Sequence, residues 1–206
     1  MGRLDSVEAD ALICERGGRI VFRDLGFAAA QGELLSLEGP NGAGKTSLLR
    51  MIAGLLPETA GTLTFRSSDR NVTDAEERGR FIGWLGHHDG IKAQLTVAEN
   101  ARFAAALHGA SSDTIAALDR VALARIADLP GQYLSAGQRR RLALARLLLC
   151  NRPLWLLDEP LAALDAAGKR LAAELIAAHC AAGGIAIAAT HEPLGLAGPR
   201  LTLGAA

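Results

Sequence analysis

Lysine is nearly missing from this 206-residue chain, which carries nineteen Arg but only three Lys, at positions 45, 92 and 169. A genome that favours Arg codons explains the ratio, and it makes each retained Lys worth locating. Cysteine is as sparse: Cys14, Cys150 and Cys180 are scattered, odd in number and without a Cys-x-x-Cys pair. That excludes a disulfide framework and a zinc cage, and it points to a reducing compartment. Net charge is also lacking, with 22 basic residues against 22 acidic ones. No global field draws the chain to nucleic acid, and the local run Arg139-Arg140-Arg141 is expected to be a solvated helix face. No apolar run approaches the roughly 20 residues that cross a bilayer. Arg3, Asp5, Glu8 and Asp10 argue against a secretory leader. His87-His88 has no Cys nearby and no second His at helical spacing, so a metal cluster is not expected there. Long repeats and low-complexity stretches are missing as well. What remains is one domain long enough for a proper core, expected to be soluble and cytosolic.

One of the three lysines falls in Gly39-Pro40-Asn41-Gly42-Ala43-Gly44-Lys45-Thr46, which fits Gly-x4-Gly-Lys-Ser/Thr. The apolar run Leu34-Leu35-Ser36-Leu37 ahead of it reads as a buried strand, and Ser47–Ile52 behind it as a helix. Glycines let such a loop curl until successive backbone N–H groups converge on phosphate oxygens at a helix N-terminus. Lys45 is placed to reach the β/γ-phosphates and the Thr46 hydroxyl to hold Mg²⁺. A compact ammonium suits so crowded a site better than a guanidinium fork. A merely Gly-rich turn is the weaker reading, because strand and helix are both in place. The chain is expected to bind a nucleoside triphosphate.

Short strands with turns are expected on either side: Ala11–Cys14, the turn Gly17-Gly18, Arg19–Phe22, Leu34–Glu38, Gly61–Phe65 and Phe81–Leu85. From about Thr96 to Leu149 the pattern turns Ala/Leu-rich and helical. Thr96-Val97-Ala98-Glu99 suggests a capping box, Ser111-Ser112-Asp113 a second helix start, and a long helix begins near Arg139. Buried strands return at Leu154–Leu157 and Ile185–Ala189, separated by a helix around Leu171–His179. Strands alternating with helices imply a mainly parallel sheet. The domain is α/β, with a core at about 1–86 and 150–206 and an inserted helical subdomain at about 87–149.

Leu154-Trp155-Leu156-Leu157-Asp158-Glu159 is a buried strand ending in two carboxylates. Asp158 suits Mg²⁺, and Glu159 suits a base that polarises a water aimed at the γ-phosphate. Two solvated acids at a strand end are common by themselves; a phosphate loop upstream in the same sheet makes the catalytic reading stronger. Leu134-Ser135-Ala136-Gly137-Gln138 precedes the long helix, and its hydroxyl, its Gly backbone and the helix dipole form a second anion-binding terminus.

Taken in this order, the motifs resemble the nucleotide-binding subunits of ABC transporters over the whole chain. Leu134–Gln138 is similar to the family signature Leu-Ser-Gly-Gly-Gln, with Ala136 for the first Gly and the phosphate-facing Ser135 and Gly137 retained. Ala162-Ala163-Leu164-Asp165 resembles the D-loop, and His191 the switch histidine that contacts the γ-phosphate. The resemblance implies a P-loop NTPase fold of the ABC type, with an antiparallel β subdomain beside the parallel core. It implies ATP and Mg²⁺ as cofactors, ATP contacts along Gly39–Ser47 (Gly39, Pro40, Asn41, Gly42, Ala43, Gly44, Lys45, Thr46 and Ser47), and catalysis by Glu159 and His191. It also implies that a second copy supplies Leu134–Gln138 and Asp165 in trans. Two positions depart from the pattern. Arg16 aligns where the family carries an aromatic over adenine, and its planar guanidinium can also stack. His88 aligns where the family carries the Gln that touches Mg²⁺ and senses the membrane partner, and an imidazole can ligate or hydrogen-bond there.

Within the superfamily, Glu38–Arg50, Leu85-Gly86-His87, Gly90-Ile91-Lys92 and Leu134–Gln138 resemble the CcmA-type ATPases of bacterial cytochrome c maturation. That resemblance implies a peripheral subunit on the cytoplasmic face of the inner membrane, held by a multi-span membrane subunit. Its task would be haem export or ATP-driven release of a haem-loaded chaperone, with haem handled only indirectly and no nucleic acid involved. The alternatives are the ATPase of another small transporter, for lipoprotein or peptide, and a non-transport ATP-gated switch. The last usually carries two cassettes or a coiled-coil insertion, and this chain has neither.

Overall fold

The computed structural model describes residues 3–68, 70–109 and 113–204. In chain order it contains β1 (Leu4–Arg16), β2 (Arg19–Ala30), β3 (Leu34–Glu38), α1 (Lys45–Ile52), β4 (Ala60–Ser67), β5 (Asn71–Val72), α2 (Ala75–Gly79) and β6 (Ile82–Leu85). Then follow α3 (Val97–Leu107), α4 (Thr114–Arg120), α5 (Ala136–Cys150), β7 (Leu154–Asp158), α6 (Ala166–Ala181), β8 (Ile185–Ala189) and β9 (Arg200–Thr202). Contacts group these into two units, one of Met1–Trp84, Arg152–Glu159 and Ile176–Ala206, the other of Leu85–Asn151 and Pro160–Leu175.

The first unit is built on two sheets. One is antiparallel, in the order β2-β1-β4-β5, and the other runs β6-β7-β8-β3-β9 with β7, β8, β3 and β9 parallel to their neighbours. The expected α/β class with a parallel core and an antiparallel sheet is therefore what the chain adopts. β7 and β8 are buried at every residue, as strands covered on both faces must be, and so they appear in sequence as unbroken apolar runs. β1 and β2 are much longer than Ala11–Cys14 and Arg19–Phe22. Their pairing shifts register between Ala9 and Leu12 and again around Cys14, and such irregularities erase the period-2 pattern by which a strand is seen in sequence. Leu35, Leu37, Leu48, Leu49, Phe65, Leu156 and Ile187 join residues of both sheets and of α1 in one core.

Two polar side chains of this unit are held against aromatic rings. Arg78 is 1% exposed, and its guanidinium meets Glu58 at 2.8 Å and stands 6.0 Å from the Phe65 ring centroid. His179 stacks on Trp155 with centroids 3.9 Å apart, and its Nε2 lies 3.2 Å from the Ile185 carbonyl. Burial pushes the His179 pKa below its ordinary value, although the Ile185 and Pro153 carbonyls pull the other way.

The second unit is helical, with α3, α4 and α5 packed on one another. The capping box at α3 forms: Thr96 accepts from the Glu99 amide and the Glu99 carboxylate accepts from the Thr96 amide. α4 is capped by Asp113; Ser111 and Ser112, expected to share that start, lie outside the described residues. Asn100 is buried and ties the turn before α3 together, its amide donating to the Lys92, Leu95 and Thr96 carbonyls at 3.0 Å each. α5 begins at Ala136, one turn earlier than the expected start near Arg139. The reason is local: Ser135 accepts from the Gln138 amide at 3.2 Å, and Gln138 accepts from the Ser135 amide at 2.8 Å. The signature segment is thus its own capping box.

Candidate active site

The loop from Gly39 to Gly44 connects β3 to α1 in the first unit, and three of its positions admit little but glycine. A Cβ on Gly39 would lie 2.3 Å from the Leu203 carbonyl, and one on Gly44 would lie 2.5 Å from Val21. Both residues also take positive φ, 140° and 97°, which L side chains adopt at a cost. Gly42 likewise has φ 83°. Gly44 is the N-cap of α1 and no side chain caps that helix, so its first amides are free to meet an anion. Lys45 is 7% exposed, with its ammonium donating to the Gly39 carbonyl at 2.6 Å and the Pro40 carbonyl at 3.1 Å. The lysine therefore folds back over the loop that it serves.

Four further side chains form two pairs in this unit, Thr46 with Asp158 and Glu159 with His191. The Thr46 hydroxyl lies 3.1 Å from both carboxylate oxygens of Asp158 across 112 residues of sequence. A hydroxyl beside a carboxylate is the hard-oxygen donor set that suits Mg²⁺, which is commonly held by one or two carboxylates and the substrate's phosphates. Glu159, next in chain, takes φ 51° and donates its amide to the Ala189 carbonyl at 2.8 Å. That bond ties the turn after β7 to the end of β8, where His191 follows. His191 Nε2 stands 3.5 Å from Glu159 Oε1. Thr190 braces this turn, its hydroxyl donating to the Glu192 carbonyl and accepting from the Glu192 amide. His191 and Gly39 border one cavity of about 630 Å³. Arg16 ends β1 in register with Arg19 across the hairpin and is exposed.

In the second unit, Ser135 and Gln138 are engaged in the cap of α5 while Gly137 packs against the Ala163 carbonyl. A Cβ on Gly137 would sit 3.1 Å from that oxygen. Asp165 accepts from the Gly168 amide and from Arg141, both of which hold its carboxyl below the ordinary range. His87 and His88 are exposed, edge to face at 5.5 Å. Arg139-Arg140-Arg141 is not the solvated face expected of it. Arg140 is 3% exposed and Arg139 donates to the Leu134 carbonyl at 2.6 Å. A run of like charges gives no hint of which member a helix turns inward.

Sequence reasoning also missed the residues that shape the loop from outside, namely Val21 and Phe22 behind Gly44 and Leu203 over Gly39. They are ordinary apolar residues of distant strands, and only the sheet pairing brings them there.

A phosphate loop at the end of a parallel strand, a Thr–Asp pair beside it and a Glu–His pair at the next strand ends define a phosphate-loop nucleotide-binding protein. The sequence model of the ABC transporter family matches residues 22–162. The cytochrome c biogenesis ATP-binding export protein CcmA of Rhodopseudomonas palustris (strain BisB5) is 53% identical, over 95% of this chain and 96% of its own. The protein of that name from Mesorhizobium japonicum is 47% identical, covering 96% and 98%. Among solved structures, an ABC transporter ATP-binding protein from Pyrococcus furiosus shares the fold, with TM-score 0.83, 24% identity and coverage of 96% and 97%. The ATP-binding cassette MJ0796, solved as a dimer in a post-hydrolysis state bound to ADP and Pi, gives TM-score 0.76 at 26% identity, covering 90% of this chain and 88% of its own. The chain belongs to the ABC transporter family of ATPases, in its CcmA branch. Among the described residues, no helix is long and apolar enough to cross a membrane.

Proposed function

We propose that this chain is the ATP-hydrolysing subunit of a bacterial inner-membrane complex in cytochrome c biogenesis, working in haem export or in ATP-driven release of a haem-loaded chaperone. The observation that carries this reading is the 53% identity to a cytochrome c biogenesis ATP-binding export protein along almost the full length of both chains. The subunit lies at the cytoplasmic face, held by a multi-span membrane partner, and does not itself touch haem.

ATP lies along Gly39–Ser47, with Arg16 stacking on the adenine. Amides of the loop and of α1 take the phosphate oxygens, and Lys45 exchanges the Gly39 and Pro40 carbonyls for the β/γ-phosphates. Thr46 and Asp158 would hold Mg²⁺, which when bound neutralises charge developing on the phosphates, and His88 stands in the family position of a further ligand. Glu159 orients the attacking water and accepts its proton, while His191 steadies the Glu159 carboxylate and contacts the γ-phosphate. The products are ADP and inorganic phosphate. Ser135, Gly137 and Asp165 of a second copy complete the site, so that two ATP molecules are sandwiched between two chains.

The test is Glu159→Gln. It keeps the shape and binding of the site but removes the proton acceptor, and it should trap an ATP-bound dimer on sizing chromatography with ATP and Mg²⁺. A strictly monomeric variant under those conditions would refute the shared site.

A further inference from the structure

Arg140 is the most deeply buried cation of the helical unit, and its partners do not belong to one element. From α5 its Nη1 reaches the Gly86 carbonyl at 2.9 Å and the Asp89 carboxylate at 3.0 Å. Its Nε faces the Pro160 carbonyl at 3.3 Å. Gly86 and Pro160 are themselves buried, so this guanidinium gives both carbonyls hydrogen bonds where water has little access. Arg146, further along α5, donates to the Asp89 carbonyl at 2.7 Å and the Gly90 carbonyl at 2.9 Å. Arg141 reaches Asp165 at 2.9 Å, and Gly137 abuts Ala163. The helix that begins with the signature therefore grips two separate stretches: the loop Gly86–Gly90, which carries His87 and His88, and the segment Pro160–Asp165, which follows Glu159 directly in the chain.

We propose that Arg140, seconded by Arg146, is a positioning residue for ATP hydrolysis that locks the Gly86–Gly90 loop and the Pro160–Asp165 segment onto the signature helix, so that the three move as one block. The chemistry requires an arginine. A planar fork can serve two carbonyls and a carboxylate in different directions, whereas an ammonium is a point charge that satisfies fewer of them at once. Holding Pro160 fixes the residue after the catalytic Glu159, and a misplacement of about 1 Å far from the chemistry costs about 10²-fold in rate. The inference rests on the ATPase reading above, and it adds a residue that touches neither nucleotide nor metal.

The experiment compares the full-length parent with Arg140→Gln, Arg140→Lys and Arg146→Gln for KM and kcat of ATP hydrolysis, affinity for a fluorescent ATP analogue, and Tm. Arg140→Gln should lower kcat by about 10²-fold while KM and analogue affinity stay within about two-fold, and Arg140→Lys should recover only part of the rate. Arg146→Gln, which removes two backbone contacts from a less buried site, should show a smaller loss in kcat with KM again preserved, and it carries the test if the Arg140 variants do not fold. Unchanged kcat in a folded Arg140→Gln or Arg146→Gln, a loss confined to KM, or full recovery by Arg140→Lys would overturn the proposal. A parent that hydrolyses no ATP would instead overturn the ATPase reading, so the two failures are distinct.

Discussion

At the residue scale, the roles proposed for the groups of the site should separate in mutants. Lys45 is buried and hydrogen-bonded to the loop carbonyls it would leave for phosphate, so Lys45→Ala should abolish measurable ATP binding in a titration while the fold survives. His191 stands 3.5 Å from Glu159 and half exposed. Its removal should leave ATP affinity intact and slow hydrolysis by about 10²–10³-fold, the usual cost of one transition-state contact; turnover equal to the parent's would exclude His191 from the mechanism. Gly44 has a different kind of necessity. Gly44→Ala forces a Cβ to within 2.5 Å of Val21 at φ 97°, which should cost more than about 1 kcal/mol of stability and distort the loop. Thermal melts with and without ATP would check both effects, and a variant as stable and as tightly binding as the parent would contradict the geometry.

Elements impose a second kind of constraint, seen best where α5 begins. Ser135 is both the N-cap of that helix and the proposed phosphate contact of the opposing copy. Ser135→Ala should therefore lose about 0.5–2 kcal/mol of capping energy, near 2–4 °C in Tm for each kcal/mol at this chain length. Ser135→Asp separates the two roles, because an aspartate caps as well as a serine but repels triphosphate. Tm should stay close to the parent's while the ATP-dependent dimer disappears. A dimer that persists in Ser135→Asp would leave the residue with a structural role alone.

For the whole molecule, the half-buried imidazole of His179 contributes to how stability follows pH. Burial lowers its pKa in the folded state, whereas the unfolded chain titrates it at about 6.5. Above that value both states are neutral and nothing is lost. As pH falls below it, the unfolded state takes up a proton that the folded state refuses, so stability declines toward the lowered folded pKa. Melting curves between pH 7.5 and 5 should show this slope, and His179→Phe, which keeps the stack on Trp155, should flatten it. Parallel Tm–pH profiles for the two proteins would remove His179 as the cause.

The amino-acid sequence by itself determined the chemistry of this protein: Gly39–Thr46 between strand and helix, the strand ending in Asp158-Glu159, the Leu134–Gln138 helix start and the parallel α/β class. Each is encoded within a few residues, by hydrophobic period, glycine conformation and the capping preferences of Ser and Thr, which act locally and so survive in one dimension. Tertiary structure alone decided which distant groups meet. Thr46 finds Asp158 112 residues away because β3 and β7 flank β8 in one sheet, and Leu203 closes over Gly39 because β9 pairs with β3. Of the three adjacent arginines on α5, Arg140 is the buried one, since the turn of the helix aims it at the Gly86 and Pro160 carbonyls. No local pattern carries that information: burial and pairing depend on what the rest of the chain places opposite a side chain, and that is set by packing.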